Sequence, residues 1–184
     1  MFSNLPTLLT WGRMLAIPLL IAVFFMPISF KAQNLTAMII FIAAGITDWV
    51  DGYLARKWGQ TTAFGAFLDP VADKLLVCTA LIMLVQLGRI DAVIASIIVG
   101  REITVSALRE WMAQLGQSTN VAVHQIGKFK TAAQLTAIPL LLHFDSLWVI
   151  DCRVLGYWLL VVAAVLTVWS MFYYLRKAWP FMKN

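Results

Sequence analysis

Residues 47–74, TDWVDGYLARKWGQTTAFGAFLDPVADK, place four aspartates in a chain that is otherwise strongly apolar. Asp48, Asp51, Asp69 and Asp73 are four of only nine acidic residues in the protein. The stretch joins the end of one long apolar segment to the start of the next, so its carboxylates lie where two helices would meet. Charges in hydrocarbon are costly and usually face a cavity or one another. The stretch therefore indicates a functional site within a membrane protein.

The composition of the rest of the chain also indicates an integral membrane protein. Of its 184 residues 61% are hydrophobic and 12% charged, with a mean hydropathy of +0.83, whereas a soluble domain is about 25% charged. A transmembrane helix needs about 20 apolar residues. Six such spans are predicted, at about 8–28, 34–57, 66–88, 91–112, 124–144 and 154–176. We predict one all-α membrane domain over residues 1–184.

The basic residues predict the orientation of these spans. With six spans both termini lie on one side, and the loops of the other side carry Lys31, Arg89 and Arg153. The other eleven of the fourteen Lys and Arg residues lie on the terminal side or in the adjoining halves of the spans. Because cytoplasmic loops are enriched in Lys and Arg, we expect both termini in the cytoplasm. No polar domain is available to bind nucleic acid, so we exclude it as a partner.

The ionisable residues within the spans lie at similar depth, which predicts a polar chamber open to the cytoplasm. Asp48 and Asp51 share one arc of span 2, and Asp69 and Asp73 are one turn apart on span 3. Two carboxylate pairs on antiparallel helices can face each other, and four bare carboxylates would repel strongly. Two divalent cations would cancel this charge, and oxygen ligands suit Mg²⁺ or Mn²⁺.

Small residues accompany the aspartates. Gly52 and Ala55 would let a bulky group approach the backbone of span 2. Gly65 would do the same or would permit the turn into span 3. Close helix packing in the bilayer is the structural alternative for such residues. Their clustering beside carboxylates favours a binding role.

The chain resembles the CDP-alcohol phosphotransferases in eight residues and their spacing: Asp48-x2-Asp51-Gly52-x2-Ala55-Arg56-x8-Gly65-x3-Asp69-x3-Asp73. The six-span layout extends the resemblance over nearly the whole chain. Within that family, NLPTLLTWGR at 4–13, GREITVSALREWMAQLG at 100–116 and GKFKT at 127–131 are similar to the members whose acceptor is sn-glycerol 3-phosphate. The resemblance implies transfer of a phosphatidyl group from CDP-diacylglycerol to the sn-1 hydroxyl of that acceptor, with release of CMP.

The resemblance implies a role for each signature residue. The four aspartates bind two divalent cations, Mg²⁺ or Mn²⁺, and Asp73 is also the proposed general base. The cations would bridge the diphosphate and stabilise departing CMP. The residues implied for CDP-diacylglycerol binding are Asp51, Gly52, Ala55, Arg56 and Gly65.

Glycerol 3-phosphate carries a dianion that needs cations of its own. Arg101 and Arg109 lie about 12 Å apart along span 4, and the planar guanidinium suits bidentate phosphate binding. Lys128 and Lys130 point about 200° apart if span 5 is helical there. We therefore expect one lysine to face the acceptor pocket and the other to reach lipid phosphates.

Two further groups of polar residues have more than one interpretation. Glu102 and Glu110 are interpreted as ion-pair partners of the arginines that precede them. One hypothesis places four residues of the N-terminal region near the nucleotide: Asn4, Pro6, Thr7 and Arg13.

Several alternatives stay open at this level. Phosphatidylserine, phosphatidylinositol phosphate and cardiolipin synthases of the same family share the aspartate signature. A divalent-cation transporter would also place carboxylates in the membrane, but its path needs polar groups at several depths, and the outer halves of these spans are almost purely apolar. We also expect a homodimer, surrounded by lipids of the bacterial cytoplasmic (inner) membrane.

Overall fold

The computed structural model describes residues 5–58, 63–116, 125–147 and 150–182. Six helices make up most of these residues: α1 Leu5–Val23, α2 Phe30–Trp58, α3 Ala63–Gln86, α4 Ala92–Gln114, α5 Gln125–His143 and α6 Cys152–Ala178. The all-helical fold predicted from the sequence is confirmed. Each helix overlaps one predicted span, and the largest difference is at the end of α1, at Val23 rather than at 28. Pro27 lies in the turn that follows and cannot continue the helix.

Three short elements of the described residues were not predicted. Ser146–Leu147 and Ile150–Asp151 form antiparallel strands, β1 and β2, between α5 and α6. A short 3₁₀ helix, Trp179–Met182, follows α6. Two-residue strands leave no periodic pattern in a sequence, so only the structure could reveal them.

The first three helices of the chain, α1, α2 and α3, pack against one another. α1 packs against α2 and α3, α4 and α5 pack against α6, and α2 also packs against α5. The contact between α5 and α6 is close at Gly156, where an added Cβ would lie 2.9 Å from Leu141 Cγ and 3.2 Å from Leu140 Cβ. Gly156 therefore sets the separation of these two helices.

The outer surface of the helices is largely apolar. Large side chains that are more than half exposed occur on several helices, including Ile82, Phe129, Trp169 and Phe172. Soluble monomers rarely expose contiguous apolar surface of this extent. In the described part of the chain, two segments are long and apolar enough to cross a membrane, Phe30–Asp48 and Cys152–Ala178. These features support a membrane protein, and six crossings remain a prediction.

Arg89, just after the C-terminus of α3, connects α5 and α2 by hydrogen bonds. Its guanidinium is buried and donates hydrogen bonds to the carbonyl oxygens of Leu141 and Leu142, at 2.9 and 2.7 Å, and to Asn34 Oδ1. Burial lowers the pKa of Arg89 to about 10, so the group stays charged at neutral pH. A cation at the end of α5 satisfies carbonyls that the helix itself leaves without partners.

Candidate active site

The carboxylates of Asp48 on α2 and Asp69 on α3 meet at one guanidinium that α1 supplies. Arg13 Nη1 donates a short hydrogen bond to Asp48 Oδ1, and Arg13 Nη2 lies 3.7 Å from Asp69 Oδ1. Thr10 Oγ1 donates to the same Asp69 oxygen at 2.6 Å. Thr10 and Arg13 are one turn apart, so they share the face of α1 that packs against α2 and α3.

The contacting groups differ in their exposure. The side chain of Arg13 is 1% exposed, whereas those of Asp48 and Asp69 are 44% and 42% exposed. In each carboxylate the contact with α1 uses Oδ1. The two carboxylates are therefore anchored on the α1 side and remain accessible to a ligand from the other.

Asp73 has a different environment. It lies one turn beyond Asp69 and lines a cavity of about 60 Å³ together with Lys74, Glu102 and Gln134. With the side chains that the structure describes it makes no hydrogen bond or ion pair. Its carboxylate thus retains free lone pairs toward a space that a small polar group could enter.

Other signature residues lie on the same helices. The α2 backbone includes Asp51, Gly52, Ala55 and Arg56, but their side chains lie outside the described residues. Gly65 is buried in the first turn of α3. The roles expected for these residues in nucleotide and metal binding remain predictions.

The structure brings the two predicted arginines of α4 to one aromatic ring of α6. The guanidinium carbons of Arg101 and Arg109 lie 5.9 and 5.3 Å from the centroid of Tyr174. Arg101 is buried and donates to Ser170 Oγ at 3.0 Å. Arg109 is exposed, and its Nη2 lies 3.4 Å from the Tyr174 hydroxyl. Arg109 therefore has the freer guanidinium for an incoming anion.

Glu102 joins this cationic group to the cavity of Asp73. Lys130 is buried and forms a short ion pair with Glu102 Oε1, and Arg101 Nη1 lies 3.5 Å from the same oxygen. The interpretation of Glu102 as a partner of Arg101 agrees with this geometry, with Lys130 as a second and closer partner. The side chain of Lys128 lies outside the described residues. Glu110 forms no ion pair with any side chain that is described, so its assignment to Arg109 is wrong.

The donor set fits hard divalent cations. Carboxylate oxygens from α2 and α3 are the ligands that Mg²⁺ and Mn²⁺ prefer, and a guanidinium already shows that the space between Asp48 and Asp69 stabilises positive charge. Within the described side chains no three Asp, Glu, His or Cys residues converge on one point. The side chain of Asp51 is not among them, so the count of ligands and cations remains a prediction.

The structure adds several contributors to this region that the sequence did not single out: Thr10, Gln134, Ser170 and Tyr174. Thr10 and Arg13 at i and i+3 in an apolar span were a usable signal, because they give one helix face a polar pair. Arg13 contacts Asp48 and Asp69, and the hypothesis that it lies near the nucleotide remains a prediction. Asn4 and the side chains of Pro6 and Thr7 lie outside the described residues.

Asp48, Asp69 and Asp73 of this site belong to the signature by which the sequence resembles a known family. Residues 3–169 match the CDP-alcohol phosphatidyltransferase family, and the chain belongs to it. Members of this family generally depend on divalent cations.

Individual relatives are similar over nearly their whole length. The CDP-diacylglycerol–glycerol-3-phosphate 3-phosphatidyltransferase of Escherichia coli (strain K12) is 48% identical over 177 residues, which are 95% of this chain and 94% of the relative. The proteins of the same name from Shigella flexneri serotype 5b (strain 8401) and Salmonella choleraesuis (strain SC-B67) are 48% and 49% identical over the same length. The reaction in these names is the one that the sequence motifs predict.

Proposed function

We propose that the protein transfers the phosphatidyl group of CDP-diacylglycerol to the sn-1 hydroxyl of sn-glycerol 3-phosphate, giving phosphatidylglycerophosphate and CMP. Relatives with this activity in their names match 95% of the chain. The structural observation that supports the proposal concerns Glu102. Its side chain lines the same cavity as Asp73 and also contacts the cations Arg101 and Lys130. A donor site built of carboxylates thus adjoins an acceptor site built of cations.

The donor site would hold the diphosphate of CDP-diacylglycerol. Two divalent cations, Mg²⁺ or Mn²⁺, bound by Asp48, Asp51, Asp69 and Asp73 would neutralise the diphosphate and the departing CMP. The small residues Gly52 and Ala55 would let the nucleotide approach the backbone of α2, with Arg56 and Gly65 as further nucleotide-binding residues of the signature. Thr10 and Arg13 hold the carboxylates of Asp48 and Asp69 in place.

The acceptor site would orient glycerol 3-phosphate for attack. Arg109, Arg101 and one of Lys128 and Lys130 supply cations for its phosphate. The Asp73 carboxylate accepts the proton of the sn-1 hydroxyl as its oxygen bonds to the phosphorus next to diacylglycerol. The bond from that phosphorus to the CMP oxygen breaks, and its electron pair leaves with CMP. Most of the rate enhancement then comes from positioning and electrostatics.

The membrane arrangement follows from the position of the charges. We propose that α1 to α6 all cross the bacterial inner membrane, with both termini and the active site on the cytoplasmic side. The end of α2 and the start of α3 carry the aspartates, so the site lies at one membrane surface and takes polar substrates from the cytoplasm. The protein would act as a homodimer among the lipids that it helps to synthesise.

An acceptor panel tests the proposed reaction. The purified protein in detergent is given CDP-diacylglycerol, Mg²⁺ and one of sn-glycerol 3-phosphate, L-serine, inositol phosphate or phosphatidylglycerol, and CMP release is followed. We expect CMP release and a new phospholipid with sn-glycerol 3-phosphate alone. Release with another acceptor in its place would identify a different member of the family. Uptake of Mn²⁺ into proteoliposomes without substrate would instead support transport.

Replacing Arg109 by Ala is expected to raise the KM for glycerol 3-phosphate more than that for CDP-diacylglycerol. Arg109 is exposed beside Tyr174, and loss of a charge-assisted contact costs about 1.5–3 kcal/mol, or about 10- to 150-fold in KM. Arg153→Ala is the matched control, because Arg153 is exposed and pairs with Asp151 next to β2. An equal rise in both KM values would exclude a role of Arg109 in acceptor binding.

A further inference from the structure

Arg13 is a buried cation in the apolar helix α1. Its side chain is 1% exposed, and among the described side chains it forms ionic contacts with Asp48 and Asp69 on two other helices. A buried charge is tolerated only when it is paired. The position of Arg13 in α1 therefore depends on the carboxylates, and the charge of the carboxylates is offset by Arg13.

The contacts have a common geometry. Arg13 and Thr10 approach Oδ1 of the carboxylates, and the side chains of Asp48 and Asp69 stay more than two-fifths exposed. The Thr10 hydroxyl orients the Asp69 carboxylate by a hydrogen bond but carries no charge, whereas Arg13 supplies both hydrogen bonding and a positive charge. One guanidinium between carboxylates of α2 and α3 provides the positive charge that a divalent cation would otherwise supply there.

We propose that Arg13 acts as a permanent counter-cation of the aspartate cluster, which consists of Asp48, Asp51, Asp69 and Asp73. The charge of Arg13 stabilises the metal-free protein and lowers the affinity of the cluster for divalent cations. Four carboxylates are neutralised by two divalent cations, so the fixed charge of Arg13 leaves the loaded site positive and suited to a diphosphate. Metal and nucleotide then bind more tightly together than either does alone. This last consequence rests on the proposed function, whereas the effect on metal binding does not.

The experiment measures metal binding and stability without turnover. Purified protein is freed of metal with EDTA, and Mn²⁺ binding is titrated by electron paramagnetic resonance in the absence of nucleotide and acceptor. Thermal unfolding is measured in EDTA and in saturating Mn²⁺. The variants are Arg13→Met, which removes the charge, Arg13→Lys, which keeps it but loses the planar fork, and Thr10→Val, which removes the hydrogen bond to Asp69 and no charge.

We expect Arg13→Met to bind Mn²⁺ about 10-fold more tightly, because one nearby positive charge is lost. Its Tm should fall more in EDTA than in Mn²⁺, so that Mn²⁺ raises the Tm more than in the wild type. Arg13→Lys should keep an affinity close to that of the wild type. Thr10→Val should not bind Mn²⁺ more tightly, since every charge remains.

Equal or weaker Mn²⁺ binding by Arg13→Met would overturn the proposal and would leave Arg13 as a residue that only orients the carboxylates. If Arg13→Met does not fold, Arg13→Gln removes the same charge while keeping a shorter polar side chain, and it is judged by the same criterion. Neither readout involves glycerol 3-phosphate, so the proposal can fail while the proposed transfer reaction holds, and the reverse.

Discussion

Replacing Asp69 by Asn is expected to lower phosphatidyl transfer by at least about 10²–10³-fold, the scale for loss of a group that stabilises charge in the transition state. Oδ1 of Asp69 accepts a hydrogen bond from the Thr10 hydroxyl on α1, and the rest of the carboxylate is partly exposed. Asparagine keeps the size of the side chain but removes a negative charge and a carboxylate oxygen. The site would then bind divalent cations poorly. Turnover with CDP-diacylglycerol and glycerol 3-phosphate at saturating Mg²⁺ measures the loss.

Asp91→Asn is the matched control for this prediction. Asp91 is exposed at the start of α4 and accepts a hydrogen bond from the Tyr157 hydroxyl at 3.0 Å, away from the aspartate cluster. We expect its activity to equal that of the wild type. In the wild type, EDTA should abolish turnover and Mg²⁺ or Mn²⁺ should restore it. Full turnover of Asp69→Asn, or of the wild type in excess EDTA, would contradict a metal role for this residue.

The sequence predicted the positions of the helices because each helix coincides with a long apolar segment that length and composition reveal. It did not predict where α1 ends or that β1 and β2 pair, because these features depend on a single proline and on two-residue strands. The existence of a helix is therefore easier to predict than the residue at which it ends.

The candidate site was predictable only in part, for a geometric reason. The periodicity of one helix shows which of its residues share a face, so Asp69 and Asp73 could be paired from the sequence. It does not show which residue of another helix lies opposite, so the contact of Arg13 with Asp48 needed the packed structure. The same limit applies to Lys130, a predicted phosphate ligand whose charge the structure pairs with Glu102.

Asp73→Asn is expected to separate catalysis from binding. Asp48 and Asp69 are engaged by α1, whereas Asp73 faces the cavity that it shares with Glu102 and Gln134. A general base must come within about 2.6–3.2 Å of the hydroxyl that it deprotonates, and the Asp73 carboxylate, which pairs with none of the described side chains, has the freedom to do so at the cavity. We therefore expect kcat to fall at least about 10²-fold, the scale of a lost general base.

Binding measurements decide between the two roles that the family signature gives Asp73. If it acts mainly as the base, Asp73→Asn binds Mn²⁺ and CDP-diacylglycerol nearly as the wild type does, whereas Asp69→Asn loses Mn²⁺ binding and turnover together. Asparagine at 73 still offers one carbonyl oxygen to a cation but cannot accept the proton of the attacking hydroxyl. If Mn²⁺ binding of Asp73→Asn collapses along with kcat, Asp73 is mainly a metal ligand. The proton of the acceptor would then leave through another group at the same cavity, which Glu102 also lines.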